Sequence, residues 1–155
     1  MSRRVAAFTH RTAQSQTVSA AWSRFHAWTL VRTRGLVGAK WLGAPVLVLE
    51  TVGRKSGKVR HTPLIYATDG DDLVLLAANA GNDRPPAWWL NLSAATDATV
   101  LIRGRRRHVR WTEADGAERD RLFAAIVAVY PPAEHYVGFT ERTMPVVVLR
   151  DAPPA

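Results

Sequence analysis

Apolar positions change their period several times along the 155-residue chain. Residues 1–17 are polar, basic and aperiodic, which predicts a flexible basic arm. From Val18 to Arg34 the spacing is helical, with Val18, Ala21, Trp22, Phe25 and Trp28 on one side. Ser19, Ser23 and Arg24 fall on the other. Such an amphipathic stripe either docks on a core or lies on a membrane surface, where Trp and Arg are favoured. Gly35, Gly38 and Gly43 then loosen the chain. Two β-rich runs follow, Pro45–Thr51 and Val59–Thr68, separated by Gly53-Arg54-Lys55-Ser56-Gly57. Asp69-Gly70-Asp71-Asp72 is a hairpin signal. Leu73–Ala78 is apolar throughout, a strand central in its sheet or buried on both faces.

Asn79–Pro86 reads as a loop, and Ala87–Ala95 as a helix entered after two prolines. Ala98–Ile102 and Arg105–Thr112 pair across Arg103-Gly104. Gly116–Tyr130 carries Leu122, Phe123, Ile126, Val127 and Tyr130 at helical spacing and stops at Pro131-Pro132. Pro145–Leu149 is a last strand, and 151–155 a tail. About six strands and three helices are expected. Tight hairpins make the sheet largely antiparallel, against a doubly wound parallel arrangement. The expectation is an α+β, mainly β fold: a small barrel carrying helices, one domain over residues 18–150 that includes the helix at 18–34.

Hydrophobic residues make up 47% of the chain, enough for a packed core. Mean hydropathy is −0.11, and no apolar run approaches the roughly 20 residues of a membrane helix. Cysteine is absent, which excludes disulfides, thiolate nucleophiles, iron–sulfur clusters and thiolate zinc sites. The net charge of +8 is uneven. Met1–Arg60 holds 11 basic residues and 1 acidic; His61–Ala155 holds 10 basic and 12 acidic. Such a positive field recruits a polyanion: nucleic acid, anionic lipid or a polyanionic cofactor. Ser2-Arg3-Arg4 lacks the apolar stretch of an export signal, so a cytoplasmic location is expected.

Familiar catalytic constellations are missing. His10, His26, His61, His108 and His135 show no metal-ligand spacing with a carboxylate, so no metal site is expected. There is no Gly-x-Ser-x-Gly elbow, and Gly53–Gly57 lacks the spacer and ending of a phosphate-binding P-loop. Chemistry would therefore come from a bound cofactor. Arg54, Lys55, Ser56, Lys58 and Arg60 put four cations and a hydroxyl within seven residues around Gly57. A turn of this kind either presents donors to a phosphate or is a solvated basic hairpin. Lys58 and Arg60, two apart, share one strand face. Farther on, Ala77-Ala78-Asn79-Ala80-Gly81 is small enough to let a flat ring approach the backbone. Pro86 opens the next helix, and Trp88 and Trp89 are either core residues or pocket walls.

Taken in order, Gly53-Arg-Lys-Ser-Gly57, Arg60, Pro63-Leu64, the Ala77–Gly81 loop, Pro86-x-Trp88-x-x-Asn91-Leu92 and Arg142-x-x-Pro145-Val-Val-Val resemble one family. It is the deazaflavin-dependent nitroreductase family, whose members use coenzyme F420. The resemblance runs from about Val46 to Leu149. It implies a split β-barrel like those of flavin reductases and pyridoxamine-phosphate oxidases. It also implies hydride transfer from reduced F420 to a quinone, nitroaromatic or activated alkene. That coenzyme's phosphodiester and oligoglutamate tail agree with the charge. Carried over, Arg54, Lys55 and Ser56 would hold the phosphate, with Gly57 keeping the turn tight. Lys58 and Arg60 would meet phosphate or tail carboxylates, and Pro63 and Leu64 would back the ring. Ala77, Ala78, Asn79 and Gly81 would contact the ring through their backbone, while Pro86 and Trp88 close the pocket. Tyr130 and Tyr136 match positions beside the substrate, where a hydroxyl could bond an acceptor oxygen. The chain departs from the family at Ile65 and Ala133, where aromatics are expected, and in a loop one residue shorter at Asn79.

Three other readings stand beside it. The same barrel could bind FMN through its terminal phosphate. It could also carry lipid or cofactor without turnover. The arm, the Trp-bearing helix and Arg103-x-Arg105-Arg106-Arg107 could instead form a basic membrane or nucleic-acid module. Those arginines occupy both faces of one strand, so no nucleic-acid partner is expected. Membrane contact through residues 18–34 is compatible with the enzyme reading, as is a homodimer.

Overall fold

The computed structural model describes residues 40–41 and 43–153. The expected arm and the helix at 18–34 lie outside these residues. Eight strands form among the described residues: β1 (Lys40–Trp41), β2 (Ala44–Val52), β3 (Val59–Ile65), β4 (Ala67–Asp69), β5 (Asp72–Leu76), β6 (Asp97–Ile102), β7 (Arg105–Glu113) and β8 (Val146–Asp151). Two α-helices accompany them, α1 (Ala87–Leu92) and α2 (Gly116–Val129). Two 3-10 segments, Asn79–Gly81 and Pro131–Gly138, complete the order. The second was not expected, because a Pro-Pro stop ends an α-helix without forbidding a tighter turn after it.

Every ladder is antiparallel. The sheet runs β1-β2-β6-β7-β8-β5-β4, with β3 also paired to β2. β3 and β4, on opposite flanks of this path, are separated in sequence only by Tyr66. One residue cannot span a flat sheet, so the sheet curls until its flanks meet. The expected single strand Val59–Thr68 is therefore two strands that bend at Tyr66. Its N–H donates to Pro45 O at 3.2 Å, and its ring enters the barrel interior.

Strand alternation sorts the apolar residues into two cores. Leu47, Leu49, Leu73, Leu75, Val100, Val109, Val147 and Leu149 fill the barrel with Trp88 and Leu92 of α1. Val74, Val146 and Val148, on the opposite face, meet Leu122 and Ile126 of α2. β5 and β8 are buried on both faces because each core claims alternate residues. A second tie holds α2: both Arg121 Nη atoms donate to the Asp69 carboxylate at 2.8 Å.

Leu49 is 0% exposed. Leu49→Ala should cost about 2–5 kcal/mol in urea unfolding, whereas exposed Val59→Thr should stay within about 0.5 kcal/mol. Hydrogen bonding from Arg121 holds the Asp69 carboxyl below its ordinary value, against an opposing effect of desolvation. A depressed carboxyl contributes stability above its unfolded pKa and loses it as pH falls through the folded one. Asp69→Asn should therefore flatten the acid limb of stability below about pH 4; an unaltered limb would show that the pair contributes nothing.

Candidate cofactor site

Gly53 closes the basic turn by donating its N–H to Lys58 O at 2.8 Å and accepting the Gly57 N–H at 2.8 Å. A Cβ on Gly53 would stand 2.6 Å from Ser56 Oγ and 3.3 Å from Lys58 O. Ser56 Oγ accepts the Lys58 N–H at 3.3 Å, and Gly57 takes a φ of 66° that favours glycine. Asn91 of α1 pins this turn. Its Oδ1 accepts the Arg54 N–H at 3.2 Å and Nη1 at 3.4 Å. Arg54, Lys55, Ser56, Gly57, Lys58 and Arg60 are all exposed. Among the described residues none of these four cations joins an ion pair, whereas Arg106, Arg107, Arg121 and Arg150 each meet a carboxylate. Thr51, directly across the ladder from Arg60, buries a hydroxyl without a partner among the described residues.

The other segment leads into the start of α1. Ala77 and Ala78 are buried at the end of β5. Asn79 and Ala80 then take φ of 48° and 52°, sparsely populated values for residues with a Cβ. Asn79 Nδ2 donates to Arg84 O at 2.9 Å, and the Asn82 N–H to Asn79 O at 3.0 Å. Gly81 has φ 76°, and a Cβ there would lie 3.0 Å from both Phe139 Cβ and Tyr136 O. Arg142 closes the loop from behind, donating to Ala77 O at 3.0 Å, Ala78 O at 2.8 Å and Asn82 O at 3.2 Å. Burial pushes the Arg142 guanidinium below its usual pKa, and nearby Asp83 partly opposes this. An open groove of about 660 Å³ adjoins the loop, with Asp83, Val137, Phe139 and Arg142 in its wall.

α1 holds the two segments apart. Its six residues span about 9 Å at 1.5 Å each. Pro86 caps its start and is buried. Trp88 points into the barrel core, with its ring edge-on to Trp89 at 6.3 Å. Pro63 and Leu64 fall on opposite faces of β3, across from Val48 and Leu47. Tyr130 and Tyr136 lie in the outer core, 6% exposed, with hydroxyls 3.2 Å apart. Buried Ala133 is in the same cluster.

Two residues quoted in the sequence motifs received no role from sequence. Asn91 had a signal: it is a polar residue three after Trp88, on the helix's buried side. Arg142 had none, because the carbonyls it binds are about sixty residues away in sequence.

Residues 22–151 match the family described as F420H(2)-dependent quinone reductase, and the chain belongs to it. An F420H(2)-dependent quinone reductase of Mycobacterium tuberculosis is 33% identical over 121 residues, covering 76% of this chain and 81% of that protein. The solved structure of an F420-H2 dependent reductase, FDR-A, superposes with a TM-score of 0.63 and 28% identity, covering 68% of this chain and 94% of its own. A solved domain-swapped dimer superposes at 0.65 with 26% identity, covering 85% and 99%. The chain is an F420H2-dependent oxidoreductase with a split-barrel-like fold, and the family implies coenzyme F420 as its cofactor. The four cations of the turn, without an ion pair among the described residues, fit that coenzyme's phosphodiester and glutamate tail. No described helix is long and apolar enough to cross a membrane.

Gly81→Ala combines a positive φ with contacts at 3.0 Å. It should cost about 1–3 kcal/mol in thermal or urea unfolding and speed amide exchange in residues 77–82 more than in β8.

Proposed function

We propose that this chain reduces a quinone, with nitroaromatics and activated alkenes as further acceptors of the same hydride. The observation that carries the cofactor half is the pairing, about the two ends of α1, of a basic turn that joins no ion pair among the described residues with a strained loop. Family membership supports the quinone half. When bound, F420H2 supplies the hydride. Arg54, Lys55 and Ser56 hold its phosphate, and Lys58 and Arg60 attract its carboxylates. Asn91 keeps Arg54 at the helix while leaving its charge uncompensated. Ala77, Ala78, Asn79, Gly81 and Pro86, with Pro63 from one face of β3, form the ring's surroundings, while Leu64 and Trp88 support them from the barrel core. Most of the rate would come from orientation and exclusion of water. Tyr130 and Tyr136 stand on the acceptor side, where an O–H donates to the acceptor oxygen as negative charge develops. Their burial strengthens that hydrogen bond by removing competing water. Likeness to a domain-swapped dimer supports a homodimer here as well.

Tryptophan quenching tests this reading. The protein should bind F420, and Lys55→Ala and Arg54→Ala should each weaken binding by about tenfold or more, the scale of a lost charged hydrogen bond. Added salt should weaken the wild type more than either variant. Unchanged affinity in both variants would remove the basic turn from the site.

A further inference from the structure

Arg142 is placed in an unusual way for a half-buried cation. Among the described residues it forms no ion pair, and its guanidinium is spent on backbone oxygens instead. Nη1 donates to Ala77 O at 3.0 Å and Nη2 to Ala78 O at 2.8 Å. Nε and Nη2 reach Asn82 O at 3.3 and 3.2 Å. These oxygens come from the two ends of the loop in which Asn79 and Ala80 adopt positive φ. One planar fork therefore gathers both ends of a strained segment.

The direction of the carbonyls has a consequence for the donors. No described peptide is cis, and across a trans peptide the N–H points away from the preceding C=O. With Ala77 O and Ala78 O turned toward Arg142, the N–H groups of Ala78 and Asn79 face the opposite side. Neither N–H meets an acceptor among the described residues. Ala78 lies at φ −82°, ψ −35°, and Asn79 follows at φ 48°. A right-handed residue followed by a left-handed one is the backbone nest that concentrates N–H groups on an anion or carbonyl oxygen.

We propose that Arg142 is a positioning residue that aims the Ala78 and Asn79 N–H groups at a carbonyl oxygen of the deazaflavin ring. The proposal rests on the F420 reading above and adds what holds the ring's subsite in shape. Among the described residues the Arg142 guanidinium hydrogen-bonds only to carbonyls of this loop. Lysine, a point charge on a flexible stem, cannot bridge three carbonyls in one plane.

Two probes separate the ring from the tail: F420 itself, and its phosphate-free fragment of deazaflavin ring and ribityl chain. Arg142→Lys should weaken both by the same factor, about tenfold, while Lys55→Ala weakens F420 and leaves the fragment unchanged. Guanidinium ion at low concentration should restore part of the fragment affinity of Arg142→Ala, which a general folding defect would not allow. Amide exchange in Arg142→Lys should accelerate at residues 77–82 while β5 and β8 keep their protection. Unchanged fragment affinity in Arg142→Lys, beside a wild type that binds both probes, overturns the clamp and spares the cofactor reading. Uniform loss of protection across the barrel also overturns it, by showing a structural residue only. A wild type that binds neither probe overturns the cofactor reading and the clamp together.

Discussion

Closure of the sheet at Tyr66 is the constraint on which the rest depends. β3 and β4 are consecutive in sequence yet lie on opposite flanks of the strand order. The bend between them forces the sheet to curl, and curling creates an inside. Leu47, Leu49, Leu75, Val100 and Leu149 then share one core instead of lining a flat face. The opposite face becomes an outer wall that needs its own cover, which α2 supplies through Leu122 and Ile126. A barrel wound this tightly also fixes where its loops emerge. The β2–β3 turn and the segment after β5 are brought to a single short helix.

That helix acts as a spacer. α1 sinks Trp88 and Leu92 into the barrel and uses Asn91 to hold the basic turn. The contrast between cations is electrostatic. Arg106 and Arg107 of β7, Arg150 of β8 and Arg121 of α2 are neutralised by Glu50, Asp151, Asp72 and Asp69. At the turn, Arg54, Lys55, Lys58 and Arg60 join no ion pair among the described residues, an arrangement whose mutual repulsion an incoming polyanion relieves.

The loop after β5 illustrates a different trade. Positive φ at Asn79 and Ala80 is unfavourable by itself, on the order of 1–3 kcal/mol per residue. It persists because Gly81 packs tightly under Phe139 and because Arg142 ties three carbonyls. Strain of this kind is kept by surrounding contacts, and here it coincides with the segment expected to meet a ring. Burial of the two tyrosine hydroxyls against each other is the same economy: each satisfies the other in a core that offers few polar groups.

Much of this was legible in the sequence alone. Hairpin signals at Asp69–Asp72 and Arg103-Gly104, the apolar run in β5 and the Pro-Pro stop after α2 located most elements, because these are local preferences of backbone and side chain. The ordered motifs pointed to F420 by resemblance, and the charge asymmetry agreed with a polyanionic cofactor. Tertiary structure decided the rest. The chain's local pattern ran straight through Tyr66, and only closure of the sheet breaks it there. Pro63 and Leu64, neighbours in a motif, part to opposite faces because a strand alternates. Arg142 acquires its place from carbonyls some sixty residues earlier in the chain. Local preferences act over a few residues and can be read in order; a guanidinium meeting a distant loop depends on a fold that brings them together.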